Sequence, residues 1–113
     1  MDHVVARFLE RFNNSVRTGD WTAFAATFTE DAVVEFENVP VPPMHGRKAI
    51  ADGYAEAPPD DTITALSCQS EGDVHEVTYR WDTEGTGGGR LHLTLRDGLV
   101  AHNVISLTQD VHS

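Results

Sequence analysis

Apolar residues recur at helical spacing through the first quarter of the chain. The pattern predicts an amphipathic helix over residues 3–18 and a shorter helix over about 21–28, because each segment gathers its apolar residues on one face. Those residues are Val5, Phe8, Leu9, Phe12 and Val16 in the first helix, and Trp21, Phe24, Ala25 and Phe28 in the second. A glycine ends the first helix, and the Asp20 carboxylate is placed to cap the second.

Alternation of apolar and polar residues replaces helical spacing farther along the chain. A strand is predicted over residues 32–37, and the prolines between 40 and 43 forbid regular pairing and make a loop. A third helix follows over residues 47–56, stopped by two prolines. Four more strands are predicted over about 62–70, 74–83, 89–96 and 99–108. Because helices come first and a meander of strands follows, the pattern indicates an α+β domain and not alternating βαβ units.

The strand over residues 74–83 has an unambiguous inner face. One side of it carries His75, Val77, Tyr79 and Trp81, and the other carries Glu76, Thr78, Arg80 and Asp82. The aromatic side is expected to face the core, since successive side chains of a strand point to opposite faces of the sheet.

The last hairpin allows two registers. One face of its first strand carries Leu91, Leu93 and Leu95. A two-residue turn would set Val100, His102 and Val104 beside these leucines, whereas a three-residue turn with a glycine bulge would set Ala101, Asn103 and Ile105 there. We favour the bulged turn, because it gathers apolar residues inside with one polar exception. It also places His92 opposite His102 on the outer face.

Composition narrows the possible roles. The 113 residues form one domain, residues 1–113, with a formal net charge of -10, which disfavours nucleic acid and anionic membrane surfaces as partners. No apolar run approaches the roughly 20 residues of a membrane helix, and the amphipathic first segment does not read as a signal peptide. The single cysteine, Cys68, excludes an internal disulfide and fits a reducing compartment. We therefore expect a cytoplasmic protein.

The stretch from Gly19 to Tyr54 carries a family resemblance. It reads GDWTAFAATFTEDAVVEF, then a proline-rich break, then MHGRKAIADGY. This order and spacing resembles the nuclear transport factor 2-like superfamily, and within it the SnoaL-like and ketosteroid isomerase-like proteins; the resemblance covers about residues 4–107. It implies a cone-shaped, cystatin-like α+β barrel in which three N-terminal helices pack on a strongly curved, mostly antiparallel sheet around an internal pocket.

The resemblance also implies a homodimer formed through the outer face of the sheet. That face is polar in this chain, so the dimer interface would rest more on hydrogen bonds than on apolar contacts. Its predicted residues are Glu76, Thr78, Arg80, His92, Thr94 and His102.

The steroid-isomerase mechanism is not carried by this chain. In the isomerases a carboxylate on the first strand removes a proton next to a carbonyl, while a tyrosine and a protonated acid hold the enolate oxygen. The corresponding positions here are Phe36, Phe12 and a position near Leu91, and all are apolar. Glu35 and Glu37 flank the base position and are expected to point outward, unless a bulge near the prolines rotates one of them inward.

Tyr54 and Asn103 are the candidate catalytic residues. The segment from Ala49 to Tyr54 matches the A-I-x-x-x-Tyr pattern of the isomerase-like proteins, whose phenol reaches the polar end of the pocket. Asn103 is placed to donate to a ligand carbonyl or to orient a water, and Tyr79, His75 and His102 are further polar candidates. The alternative for Tyr54 and Asn103 is a buried side chain that satisfies a backbone group.

Three other features carry weaker signals. None of the six histidines has a metal-binding spacing, so no metal and no cofactor is predicted. Arg47 would either meet an anionic ligand at the pocket mouth or pair with a surface acid. The glycine-rich segment 85–89 lacks the residues of a phosphate-binding loop and reads as a hairpin connection.

Three functions are compatible with these residues. The first is a SnoaL-like enzyme that isomerises, cyclises, dehydrates or hydrolyses a mostly apolar, carbonyl-bearing small molecule. The second is a non-catalytic module that binds such a ligand, and the third is a protein-interaction domain with a collapsed core. The predicted ligand-binding pocket walls are Phe12, Phe36, Tyr79, Trp81, Leu91 and Leu93.

Overall fold

A computed structural model describes residues 2–37, 39–83 and 87–108. Residues 107 and 108 are described by their backbone alone. The helices are α1 (His3–Thr18), α2 (Thr22–Ala25) and α3 (Arg47–Glu56). The strands are β1 (Phe28–Glu37), β2 (Met44–His45), β3 (Ile63–Glu71), β4 (Val74–Trp81), β5 (Gly88–Arg96) and β6 (Leu99–Thr108). The predicted α+β class is confirmed. Within the described residues no helix is both long and apolar enough to cross a membrane.

Local capping sets the bounds of α1. At the start of α1, the Asp2 carboxylate accepts a hydrogen bond from the Val4 N–H at 2.7 Å. At its end Gly19 adopts a left-handed conformation, with φ of 81°, and its N–H donates to the Ser15 carbonyl oxygen. The observed bounds of α1 are those predicted from the sequence, and the same is true of α3.

The second helix is shorter than predicted, because the chain enters the sheet earlier. After four helical residues, Phe28 already pairs with Val100 of β6, and the Val100 N–H donates to the Thr27 carbonyl oxygen at 2.9 Å. The helical spacing of the apolar residues is satisfied equally by a short helix followed by a turn into a strand. The Asp20 carboxylate does accept from the Thr22 N–H, at 3.0 Å.

The six strands form one sheet in the order β2-β1-β6-β5-β4-β3. All neighbours are antiparallel except β1 and β6, which run parallel. The two-residue strand β2, which the sequence pattern does not predict, pairs with the middle of β1 after the proline-rich loop. Register shifts interrupt three of the strand pairs, and such bulges bend and twist a sheet. The curved sheet wraps around the helices as the predicted cone.

Aromatic side chains from the helices and from β1 pack together in the core. Phe8 and Phe24 lie 5.1 Å apart between ring centroids, and Phe28 meets both rings edge-on. All three are essentially inaccessible to solvent. Edge-to-face aromatic contacts of this kind stabilise the core beyond the burial of their area.

The last hairpin combines elements of both predicted registers. Its turn has two residues, Asp97 and Gly98, both with positive φ, as in a type I′ turn. The bulge lies farther along, where Leu95 pairs with Val100 but Thr94 pairs with His102. The extra residue is therefore Ala101, and the residues beside the leucines are Val100, Asn103 and Ile105.

This register corrects the predicted placement of two residues. Ala101 does not lie beside the leucines, because the bulge takes it out of the ladder. His92 pairs with Val104, so it lies diagonal to His102 and not opposite it. Both histidines remain on the outer face, as expected from the favoured register.

Candidate functional site

A cavity of ≈ 200 Å³ lies between the helices and the inner face of the sheet. Its wall is almost entirely apolar, and it consists of Phe8, Phe12, Phe24, Phe36, Tyr54, Pro59, Ile63, Tyr79, Trp81, Leu91, Asn103 and Ile105. An apolar protein cavity of roughly 150 Å³ accommodates benzene. The space therefore suits a compact molecule of one or two rings.

Five of the six predicted wall residues line this cavity, and Leu93 does not. Leu93 is fully buried and pairs with His75 on one side and Asn103 on the other. At that level of the sheet the inner side is filled by core side chains, so an inward position on the strand does not reach the cavity.

Tyr54 reaches the cavity from α3. Its ring stacks on Trp21, with centroids 5.0 Å apart and planes 22° apart, and meets Phe24 edge-on at 5.1 Å. Its hydroxyl makes no hydrogen bond to any described residue, backbone included. Burial, and to a lesser extent the neighbouring Tyr79 phenol, raise the pKa of Tyr54. The phenol is therefore a neutral donor at physiological pH.

Tyr79 brings a second phenol to the cavity from β4. It pairs with Gly89 of β5, and its ring packs edge-on against Trp81 at 5.6 Å. A Cβ on Gly89 would lie 3.0 Å from the Tyr79 hydroxyl oxygen and 2.2 Å from the Ser106 carbonyl oxygen. The missing side chain of Gly89 thus leaves the space that the tyrosine hydroxyl occupies. Burial raises the pKa of Tyr79 to about 12.

Asn103 supplies the third polar group, from β6. It lies between Val34 of β1 and Leu93 of β5, and only 1% of its surface is exposed. Its Oδ1 atom has no hydrogen-bond partner within the described part of the chain. Buried polar atoms are nearly always paired, so an unpaired acceptor in a residue that borders a cavity calls for a physical explanation.

The cavity wall carries no carboxylate and no imidazole among the described residues. Phe36 occupies the position that corresponds to the isomerase base. Glu35 and Glu37 lie on the outer face, where Glu35 contacts His102 Nε2 at 2.5 Å and Glu37 accepts from the Ser106 hydroxyl at 2.5 Å. Neither glutamate is rotated inward by a bulge.

The remaining histidine candidates also lie away from the cavity wall. His75 is buried and forms a 2.7 Å hydrogen bond through Nδ1 with the Ser70 hydroxyl. His102 is on the outer face, and His92 there lies 3.1 Å from a Glu76 carboxylate oxygen. Across the described residues, no group of three or more His, Cys, Asp or Glu side chains is arranged to hold a metal.

Arg47 has a structural role that neither sequence interpretation anticipated. Its Nε and Nη2 both donate to the Phe28 carbonyl oxygen, at 3.1 and 2.6 Å. The guanidinium thus ties the first turn of α3 to the start of β1. Cys68 is half-buried against the core, as expected of a small packing residue.

The predicted glycine-rich connection is only partly visible. Residues 84–86 lie outside the described part of the chain, whereas Gly88 and Gly89 belong to β5. Sequence reasoning missed several wall residues, above all Phe8, Phe24, Pro59 and Ile63. The two phenylalanines were assigned to the apolar faces of the helices, and the pattern does not show that these faces border an open space.

Taken chemically, the site is an apolar cavity with two neutral phenol donors and one amide on its wall. The phenols of Tyr54 and Tyr79 can donate to an oxygen of a bound molecule. A few polar groups in an otherwise apolar concavity are typical of small-molecule sites.

Comparison with known proteins adds a family and several structures of the same fold. A family model described as a SnoaL-like domain matches residues 5–103. A nuclear transport factor 2-like protein of unknown function from Burkholderia xenovorans superposes with a TM-score of 0.76 at 16% identity, over 97% of this chain and 87% of that one. No curated protein matches the sequence.

Two further structures show how widely this fold is used. SalBIII, an epoxide hydrolase/cyclase-like enzyme with a role in pyran ring formation in the polyether salinomycin, has a TM-score of 0.73 at 21% identity, over 94% of this chain and 88% of that one. A de novo designed protein with a curved β-sheet has a TM-score of 0.72 at 12% identity, over 97% and 90%. Because a designed sequence also adopts the fold, shape alone does not establish an activity.

Proposed function

The chain belongs to the family of SnoaL-like domains, and on that premise we propose that it binds a small, mostly apolar, carbonyl-bearing molecule in the cavity between its helices and sheet. The observation that carries this proposal is an apolar cavity wall that holds two tyrosine hydroxyls and the amide of Asn103. All three residues are nine-tenths or more buried, and the Asn103 Oδ1 atom has no hydrogen-bond partner within the described residues. A ligand with polar atoms that pair with the hydroxyls would be favoured over a wholly apolar one.

The two tyrosine phenols favour a ligand that presents a carbonyl group to them. Both tyrosines stay protonated well above neutral pH, so each offers an O–H donor and no negative charge. A carbonyl oxygen accepts such donors, and the surrounding aromatic rings favour an apolar frame for the rest of the molecule. Donation from Tyr54 would draw electron density toward the ligand oxygen and stabilise negative charge that develops there.

Turnover of the ligand would follow the SnoaL-like isomerase, cyclase, dehydratase or hydrolase pattern. The described cavity wall has no carboxylate or imidazole, and its phenols are neutral near pH 7, so proton removal would fall to water or to a group of the substrate itself. Ring closure within a substrate fits this limit, because the substrate brings its own nucleophile. SalBIII, named for a role in forming a pyran ring, has the same fold at 21% identity.

Binding without chemistry is the second candidate function. The same missing base favours it, since Tyr54 and Asn103 would then orient a ligand and do nothing more. The third sequence hypothesis, a protein-interaction domain, required a collapsed core. The open space of ≈ 200 Å³ does not fit that requirement.

We also infer a homodimer through the outer face of the sheet. That face presents paired charges instead of a continuous apolar patch: Glu76 lies 3.5 Å from Arg90 and 3.1 Å from His92, and Glu35 lies 2.5 Å from His102. A dimer on this face would exchange some of these contacts across the interface, and its affinity should fall as salt screens them.

Native mass spectrometry on gently purified protein tests both proposals together. We expect a dimer that carries a small apolar molecule, which can then be identified by fragmentation. Tyr54→Phe should weaken binding of that molecule by about 5- to 10-fold, the value of roughly one buried hydrogen bond, without loss of stability, because the hydroxyl has no protein partner. Unchanged affinity in Tyr54→Phe would refute the role of this phenol, and a bare monomer would refute the dimer.

A further inference from the structure

Two arginines of α1 lack the electrostatic partners that the other basic residues have. The chain has eight lysines and arginines against 18 acids, so a basic side chain has many carboxylates to meet. Arg7 and Arg11 are exposed, and within the described residues neither forms a hydrogen bond or an ion pair. The other six basic residues each form at least one such contact: Arg17, Arg47, Lys48, Arg80, Arg90 and Arg96.

Both unpartnered arginines border the same pocket. It has a volume of ≈ 150 Å³ and lies between α1, the end of α2 and the turn of the last hairpin. The rest of its lining carries apolar side chains or none, apart from one threonine: Val4, Ala23, Ala26, Thr27, Gly98 and Leu99. No residue of this pocket lines the cavity of the proposed function, so the two sites are separate.

The spacing of Arg7 and Arg11 brings two positive charges together. Residues four apart on a helix are neighbours, with about 5–6 Å between their Cβ atoms, and like charges at that spacing destabilise the helix. Within the described residues, neither Glu10 nor Asp97, the acids next in sequence to Arg11 and Gly98, forms an ion pair with the arginines. An anion bound in the pocket would replace this repulsion by attraction to both guanidinium groups.

We propose that this pocket binds a small organic carboxylate, with the carboxylate on Arg7 and Arg11 and the apolar part of the molecule against the remaining wall. Guanidinium groups suit the planar carboxylate, and the alanine, valine and leucine side chains favour an apolar frame over a compact inorganic anion. A cavity of roughly 150 Å³ holds benzene, so the ligand has about the size of benzoate. Because the net charge of -10 repels anions at long range, the dissociation constant should be about 1–10 mM.

Benzoate and its neutral counterpart benzamide test this assignment. Each is titrated into the ¹⁵N-labelled protein at neutral pH and a fixed ionic strength of about 0.1 M, and binding is read from the backbone amide signals of Thr27, Gly98 and Leu99. The wild-type protein should bind benzoate about tenfold more tightly than benzamide, because hydrogen bonds between charged groups are worth at least that much. Inorganic phosphate should bind more weakly than benzoate, since it gains nothing from the apolar wall.

Three single variants separate the pocket from general attraction to positive charge. Arg7→Gln and Arg11→Gln should each weaken benzoate binding by about 5- to 10-fold and leave benzamide binding unchanged. Arg17→Gln is the control, because it removes the same charge from the same helix at a residue that does not line the pocket. It should change benzoate affinity by less than about twofold at this ionic strength. The amide spectrum of each variant reports whether it is folded, and the wild-type comparison of the probes needs no variant.

Each contrary outcome overturns a stated part of this inference. Equal wild-type affinity for benzoate and benzamide, or an equal loss of benzoate affinity in Arg17→Gln and Arg7→Gln, would overturn the arginine site. Phosphate that binds as tightly as benzoate would overturn the organic carboxylate. Benzoate shifts confined to amides of the larger cavity, such as that of Ile105, would also overturn the arginine site and leave the proposed function standing, because the two sites share no residue.

Discussion

Replacing Asn103 with leucine should make the unliganded protein more stable. Asn103 is 1% exposed, and its Oδ1 atom has no described partner. Burying an unpaired polar group costs about 1–3 kcal/mol. Leucine has the same number and branching of side-chain heavy atoms and carries no polar atom. It would pack beside Leu93 and Ile105, and its larger methyl groups border a cavity with room for them. We therefore expect Asn103→Leu to raise the free energy of unfolding by about 1–3 kcal/mol, or Tm by about 4–12 °C for a domain of this size.

Replacing Asn13 with leucine should have the opposite effect and make the protein less stable. Both polar atoms of that side chain are paired with the backbone of one residue: Nδ2 donates to the Ile63 carbonyl oxygen at 3.0 Å, and Oδ1 accepts from the Ile63 N–H at 2.9 Å. Leucine there would leave two partly buried backbone groups without partners at the start of β3. We expect Asn13→Leu to lower the free energy of unfolding by about 1–3 kcal/mol.

Urea unfolding of the three proteins without ligand, followed by tryptophan fluorescence and circular dichroism, measures both values. A loss of more than about 1 kcal/mol in Asn103→Leu would refute the reasoning, because it would mean that the amide is already satisfied, for example by a buried water. A gain in stability together with weaker binding of the ligand found by native mass spectrometry would show that the asparagine is kept for binding at the expense of stability.

Two further predictions concern the framework of the site. Arg47→Met should lower the free energy of unfolding by about 2 kcal/mol, because it removes two charged donors from the Phe28 carbonyl oxygen. The control is Lys48→Met, which removes only an exposed ion pair with Asp52. It should have no measurable effect in the same urea assay. Burial raises the pKa of both tyrosines, so the folded state holds their protons more tightly than the unfolded chain does. Their contribution to stability is complete below pH 10.0 and should be lost for Tyr79 as the pH rises through about 12, and for Tyr54 at higher pH. Because the chain has only these two tyrosines, tyrosinate absorbance should rise together with loss of circular dichroism, and a rise well before unfolding would contradict the buried phenols.

Much of the fold follows from local patterns. The bounds of α1 and α3 are set by residues within the segments and beside them, such as Asp2, Gly19 and the prolines after residue 57, so a reader of the sequence can place them. The alternation along β4 is equally local, and it correctly assigned Tyr79 and Trp81 to the inner side. The end of α2 was misjudged because Phe28 fits both a helical face and the start of a strand, and only its pairing with β6 decides between them.

The sequence by itself determined the order of the three helices and the five longer strands, the inward face of β4 and the absence of the isomerase acid–base set, because each follows from residues read along the chain. Tertiary structure alone decided the bulge at Ala101, which turns Asn103 inward with Val100 beside it, and the separation of Leu93 from the cavity. It also decided that Arg47 binds a backbone carbonyl and that Asn103 Oδ1 is left unpaired. These outcomes depend on pairing between strands distant in sequence, where a shift of one residue reverses every side chain.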